Sequence, residues 1–248
     1  MGRHLVAALD RLPGFRRRFR VTPGRGWVRS EVEDDYHHMT VILRHEAGVV
    51  TEIEPTMHRA PWTTCPGAPQ QLRQTFVGVA LDAFTSRGEK TANCTHLHDL
   101  AVLAAAHAQD REPLVYDILV SDPVEGRRQV ELRRDGEALL RWTDQDNRIV
   151  EPAELAGLGL FDQLRPWIDS LDPSRQEAAR LLRWGAILAH GRVIPMERQS
   201  DASRMPPNCY SFQPARKAQA RRVGEIKDFS RGAAQPLDPA NSTAATAH

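Results

Sequence analysis

Apolar and polar positions alternate over the first patterned stretch of the chain. Residues 27–34 alternate weakly, as a half-exposed strand does. Residues 39–45 and 49–57 are runs rich in β-branched side chains. Gly24-Arg25-Gly26 marks a turn before the first run, and Gly48 supplies the turn between the second and third. The three runs therefore predict an antiparallel meander. The basic stretch from Phe15 to Arg20 precedes it and is read, with the residues before it, as an N-terminal arm.

Beyond the third strand the period lengthens to that of a helix. Pro66-Gly67-Ala68-Pro69 opens it, and Leu72, Phe76, Val79 and Ala80 fall on one face. Residues 86–90 predict a loop. Thr95 then suits the N-cap of a helix running from His96 to about Ala108, with Leu97, Leu100, Ala101 and Ala104 as its buried stripe. After Pro113 strands resume over 114–121 and 128–134, and Asp135-Gly136 predicts a hairpin turn into 137–143. Helical segments follow, clearest at 153–164 and 173–190, with a shorter one at 214–223.

This order predicts an α+β fold: an N-terminal antiparallel meander of about three strands packed by two or more helices, then a further β-hairpin region and a helical C-terminal part. The expected organisation is an arm at 1–20 and an α+β domain at 21–110. A β-hairpin and helical region at 111–230 would pack on that domain. A tail at 231–248 of Ala, Pro, Ser and Thr has little to bury and is expected to be disordered. The chain has no internal repeat, glycine-rich phosphate loop or dinucleotide fingerprint.

Composition narrows the function classes. The chain has 248 residues, 41% of them hydrophobic and 26% charged, with a net charge of +1. That balance gives no long-range field toward nucleic acid or an anionic membrane, and the paired arginines are read as a solvated face. No apolar run reaches the roughly 20 residues of a membrane span. The N-terminus does not read as a secretory signal. Three cysteines do not make a disulfide framework, and their odd number points to a reduced, cytoplasmic protein. The expected partner is a small-molecule substrate, with neither nucleic acid nor membrane, and a homo-oligomer is left open.

The residues that carry chemistry cluster at element starts. Cys65 and Cys94-Thr95-His96 stand where the two helices begin, and His37-His38 enters the second strand. Thiolate and imidazole are the softer protein donors and commonly hold zinc or ferrous iron. Neighbouring residues on a strand point to opposite faces, so only one of His37 and His38 can face a shared site. His96 and His98 are about 200° apart on a helix and divide in the same way. The preferred metal set is His37, Cys65, Cys94 and His96. Proton transfer would fall to His38, His58 or Tyr36. Asp34, Asp35 and Asp99 are weaker acid–base candidates, and Cys209 lies in an unusual Pro206-Pro207-Asn208-Cys209-Tyr210-Ser211-Phe212 segment.

The runs His37-His38-Met39-Thr40-Val41-Ile42-Leu43, Gly48-Val49-Val50-Thr51-Glu52-Ile53 and Ala60-Pro61-Trp62-Thr63-Thr64-Cys65-Pro66, followed by Val77-Gly78 and Cys94-Thr95-His96-Leu97, form a pattern. It resembles an uncharacterised bacterial family built on a domain of unknown function, over roughly residues 20 to 110. Cys-Thr-His-Leu is its most specific part. The chain departs from the family in having Asn93 where glycine is usual and His38 where an acid is frequent. The meander is also similar in topology to U-type iron–sulfur scaffold proteins, whose ligand places fall near residues 35–37, Cys65 and Cys94. That likeness implies a shared fold and ligand geometry for the first domain.

The function expected from these residues is that of a metal-dependent enzyme, holding one zinc or iron ion and acting on a small organic substrate. A lyase or hydrolase using the metal as Lewis acid fits best. Two alternatives stand beside it. One is a non-catalytic metal or iron–sulfur binding protein, and the other a cofactor-independent enzyme with Cys65 or Cys94 as nucleophile and His96 or His37 as base.

Overall fold

The alternation over residues 27–57 becomes paired strands in the computed structural model of the protein, which describes residues 9–87, 89–231 and 234–239. β1 (Gly14–Gly24), β2 (Trp27–Asp34), β3 (His38–Glu46) and β4 (Val49–Arg59) lie in the order β4-β3-β2-β1. The meander thus has four strands where about three are expected. β1 falls across the basic stretch assigned to the arm. Its odd positions, Phe15, Arg17, Phe19 and Val21, are all buried, so a strand periodicity runs beneath the arginines. Arg16 is also buried, and its guanidinium donates to the backbone carbonyls of Phe15, Leu9 and Leu12. A buried cation is tolerable only when its donors are satisfied in this way.

The pairing of β2 with β3 sets Val28 opposite Leu43, Ser30 opposite Val41 and Val32 opposite Met39. All six side chains are fully buried. The buried face is covered by α2 (Thr95–Ala106), whose Leu97, Leu100, Ala101 and Ala104 form the expected stripe. The Ser30 hydroxyl donates to the Leu100 carbonyl at 2.7 Å, which satisfies a polar group between strand and helix.

α1 (Ala68–Phe76) packs on β4 through Leu72 and Phe76. It stops earlier than its apolar pattern suggests. Gly78 takes φ +81°, a left-handed conformation that glycine adopts without a Cβ clash. The chain then turns back, so that the Gly78 N–H donates to Val50 O and Val79 O accepts from Val50 N–H. Val79 and Ala80 therefore extend the sheet edge and do not lie on the helix.

Two units divide the chain. The first contains residues 18–115 and 195–227, so the segment carrying Cys209 belongs to the same unit as the meander. The second contains residues 116–194 with the described residues of 9–17 and 228–239. Its strands run in the order β5 (Leu114–Ser121), β6 (Arg127–Arg134), β7 (Glu137–Gln145) and β8 (Arg148–Glu151), all antiparallel. The Asp135-Gly136 turn occurs as expected, with φ +50° and +86°. Residues 153–164 form only a short turn, Ala153–Leu155, before α3 (Leu164–Asp169), and α4 (Pro173–Leu188) follows its Asp172 cap. Gly185 lets α4 approach β5, since a Cβ there would stand 2.8 Å from the Ile118 side chain.

Most of the expected disordered tail, and residues 1–8 of the expected arm, lie outside the described residues. Leu237, within the described part of the tail, is buried. Among the described residues no helix is long and apolar enough to cross a membrane.

Candidate functional site

A side-chain hydrogen-bonded turn at the end of β2 begins the site. The Asp34 carboxylate accepts the backbone N–H groups of Tyr36 and His37, both at 2.8 Å, while the Asp34 N–H donates to the His37 carbonyl at 2.9 Å. Aspartate favours such turns because its short carboxylate reaches the amides two and three residues on. The same oxygen lies 3.0 Å from His37 Nδ1. A carboxylate cannot donate, so this contact places the proton on Nδ1 and leaves the Nε2 lone pair available.

Arg59 holds the turn from its other side. It donates to the carbonyls of Asp34 at 2.6 Å, Asp35 at 2.7 Å and His37 at 3.3 Å, and it pairs with the fully buried Glu33 at 3.3 Å. Cys94, in extended conformation, caps α2, so His96 enters on the first turn of the helix. The His96 ring stacks on that of His37, with centroids 3.8 Å apart and planes 27° from parallel. Asp34, His37 and His96 are all buried, and their ligating atoms lie within 4.8 Å of one another.

Two imidazoles and a carboxylate are a donor set that zinc and ferrous iron both accept, and a three-residue set leaves coordination positions open. A tetrahedral ion with bonds of about 2.0–2.1 Å sets its ligand atoms roughly 3.4 Å apart, so the group would close modestly around it. Asp34 Oδ1 already accepts three N–H groups, and Oδ2 is the less engaged oxygen. The residues present fit a metal.

The structure brings His37 and His96 of the expected metal set together, with Asp34 as the third member. Cys65 and Cys94 are outside that group and belong to a second one. The Tyr210 N–H donates to the Asn93 carbonyl at 2.8 Å, and Ser211 Oγ lies 3.4 Å from Cys65 Sγ. These contacts bring Cys209 into the same neighbourhood as Cys65 and Cys94, where Cys65 and Cys209 act on the Cys94 thiol and Cys65 on that of Cys209. Burial pushes the Cys65 thiol up and the Cys94 thiol far above the usual range, and it raises Cys209 to about 11. The N–H groups of Leu97 and His96 oppose this at Cys94 without overcoming it. All three are therefore neutral thiols at physiological pH, unlike a primed nucleophile.

Of the expected proton-transfer residues, His38 and His58 form a pair of their own. A register shift in the β3–β4 ladder lies between His38 and Met39, opposite Arg59 and Met57 respectively, and leaves His58 as the extra residue. The His38 and His58 rings are 4.5 Å apart, and Thr40 Oγ1 is 3.1 Å from His58 Nε2. Burial pushes His38 down to about 4, against the pull of Glu33, whose carboxylate is 4.0 Å away. His37 and His38 thus turn to different partners. Tyr36 stays beside the metal-type group, its ring edge-on to His37 with centroids 6.2 Å apart.

Arg222 is the residue that sequence reasoning passes over. It belongs to an arginine pair counted with the solvated face, yet its guanidinium lies over the Tyr36 ring at 5.4 Å and the Trp62 ring at 5.8 Å. Asp34 had a visible signal in its place three residues before His37. Arg222 had none.

Residues 20–109 match the model of a family described as protein of unknown function (DUF2889). The span agrees with the resemblance carried by the Cys-Thr-His-Leu pattern, and it contains Asp34, His37, Cys65, Cys94 and His96. Cys209 and Arg222 lie beyond it. Among curated proteins none matches the chain.

Proposed function

We propose that this protein is a metal-dependent enzyme acting on a small organic substrate, with zinc or ferrous iron held by Asp34, His37 and His96. The carrying observation is the buried convergence of two imidazoles and a carboxylate within 4.8 Å. A bound ion would supply Lewis-acid chemistry, which suits a hydrolase or a lyase. Asp34 would reach such an ion through Oδ2, its less engaged oxygen, while Oδ1 holds the Tyr36 and His37 amides of the turn. Arg59 keeps Asp34 and His37 in register by holding the turn's carbonyls. Tyr36, edge-on to His37, is the proposed proton-transfer group placed beside it, while His38 and His58 would serve from their separate pair.

Metal content measured on protein purified without a metal-affinity tag tests this reading. About one zinc or iron per chain is expected, and it should be lost in both His37→Ala and His96→Ala while Cys65→Ala retains it. A protein that carries no metal and takes up neither zinc nor cobalt would overturn the proposal.

A second reading rests on all three cysteines of the chain lying in one neighbourhood, although their sulfurs do not all lie within 4.8 Å of one another as the Asp34, His37 and His96 ligand atoms do. Cys65, Cys94 and Cys209 would hold a soft metal ion or an iron–sulfur centre, with binding displacing the thiol protons. Visible absorption in anaerobically purified protein, lost in Cys209→Ser, would favour it over the histidine site.

A further inference from the structure

Arg222 stands in the C-terminal segment that returns to the first unit. Backbone contacts fix it there: the Val223 N–H donates to Pro61 O, and the Thr63 N–H donates to Arg221 O, both at 3.0 Å. Its side chain is partly buried and flanked by the Tyr36 and Trp62 rings. Among the described residues its guanidinium makes no hydrogen bond and no ion pair. Neighbouring cations differ. Arg59 and Lys227 both reach Glu33, and Arg221 donates to the Ala218 and Ala220 carbonyls.

A guanidinium carries five N–H donors in a planar fork. Aromatic rings offset part of the cost of its burial but accept none of those in-plane donors. Burial works against its charge, and the titratable groups facing it are the Tyr36 phenol and the Cys65 thiol, with no carboxylate. A partly desolvated cation with no counterion of its own leaves its fork open to a ligand, and an arginine fork is shaped for bidentate oxyanions. The surroundings narrow the anion further. Trp62 meets Phe212 edge-on with centroids 5.2 Å apart, and Met57, Ala60 and Met205 pack on the same cluster. That apolar wall suits an organic body better than a bare inorganic ion.

We propose that Arg222 anchors an anion subsite beside the Asp34–His37–His96 group, and that its ligand is a small organic carboxylate gripped by the guanidinium fork. Tyr36 links the two places, its ring 5.4 Å from the Arg222 guanidinium and 6.2 Å from the His37 ring. The carboxylate is then part of the substrate, an assignment that rests on the metal-enzyme reading, whereas the binding itself needs no metal.

The test titrates benzoate, acetate and inorganic phosphate into the full chain, with EDTA and again after zinc addition, following the melting temperature and the heat of binding. Benzoate is expected to bind and raise the melting temperature in both conditions. Arg222→Lys should weaken it at least tenfold and Arg222→Met should abolish it. Without ligand, Arg222→Met should melt within a few degrees of the wild type, because the guanidinium has no hydrogen bond or ion pair to lose among the described residues. Benzoate binding that survives in Arg222→Met would overturn the proposal. Phosphate binding as tightly as benzoate would overturn the carboxylate assignment. Benzoate binding in a protein that takes up no metal would uphold the subsite while removing the metal reading.

Discussion

His37 and His96 lie 59 residues apart in the chain, yet their rings stack at 3.8 Å, 27° from parallel. Asp34 contacts Nδ1 of the His37 ring, and the first turn of α2 positions the His96 ring. The stack thus depends on two local structures, an aspartate turn and a helix start, each with its own hydrogen bonds.

Asp34 should therefore matter to metal affinity more than to folding. Asp34→Asn keeps a side-chain oxygen for the Tyr36 and His37 amides but replaces an anionic ligand with a neutral one. Zinc affinity, measured by competition with a chromophoric chelator, is expected to fall at least about 10-fold, since even an outer-shell partner is worth about 10- to 100-fold. The melting temperature of the metal-free protein should change little.

Arg59 is expected to behave in the opposite way. Its side chain is 11% exposed and satisfies Glu33, which is 1% exposed, together with three turn carbonyls. Arg59→Met removes one cationic partner of the buried Glu33 carboxylate, while Lys227, at 3.5 Å, and His38 stay nearby. Breaking a buried pair from one side costs about 3–5 kcal/mol. Urea denaturation should show a loss near the lower end, because Lys227 remains, and Arg59→Lys should recover less than half of it.

His98 predicts an acid-sensitive fold. It is 4% exposed, packs on Phe76 with centroids 5.1 Å apart, and has no hydrogen-bond partner for either ring nitrogen among the described residues. Burial pushes it down from 6.5 to about 4. In the unfolded chain it protonates near 6.5, so unfolding takes up a proton between these values. Stability is then full above about pH 6.5, falls as pH drops toward 4, and loses nothing further from this group below that. The loss is at most roughly 3 kcal/mol. His98→Phe should flatten the pH dependence of urea stability across this window, and an unchanged slope would rule His98 out as its source.

Gly67 tests the docking of the Cys209 segment. A Cβ at residue 67 would stand 2.4 Å from the Tyr210 hydroxyl oxygen, although the backbone there is ordinary for any residue. Gly67→Ala should cost about 1–3 kcal/mol by overpacking. Adding Tyr210→Phe removes the oxygen that clashes, and thermal melts of the double variant should regain part of the loss.

Local periodicity carried most of the element assignments. The runs at 27–57 and the stripe on α2 were legible because alternation and helical spacing are properties of a few consecutive residues. β1 was hidden because its arginines resemble a solvated run, and only the surrounding structure supplies the carbonyls that make Arg16 tolerable inside. α1 looked longer than it is because Val79 and Ala80 fit the helical face, while the left-handed Gly78 sends them to the sheet edge. The His37–His38 division was expected from strand geometry, but His37 lies in the Asp34 turn just before β3, so the turn sets its direction, and the Asp34–His37 spacing was visible.

The chain's local pattern thus determined an α+β fold and the residue types able to bind a metal. Tertiary structure decided how those residues group: His37 and His96 with Asp34, Cys65 and Cys94 with Cys209, and Arg222 between two rings. Spacing specifies which way a side chain leaves its own strand or helix. Which side chains then meet depends on how strands, helices and the returning C-terminal segment pack, and that is set by the whole core at once.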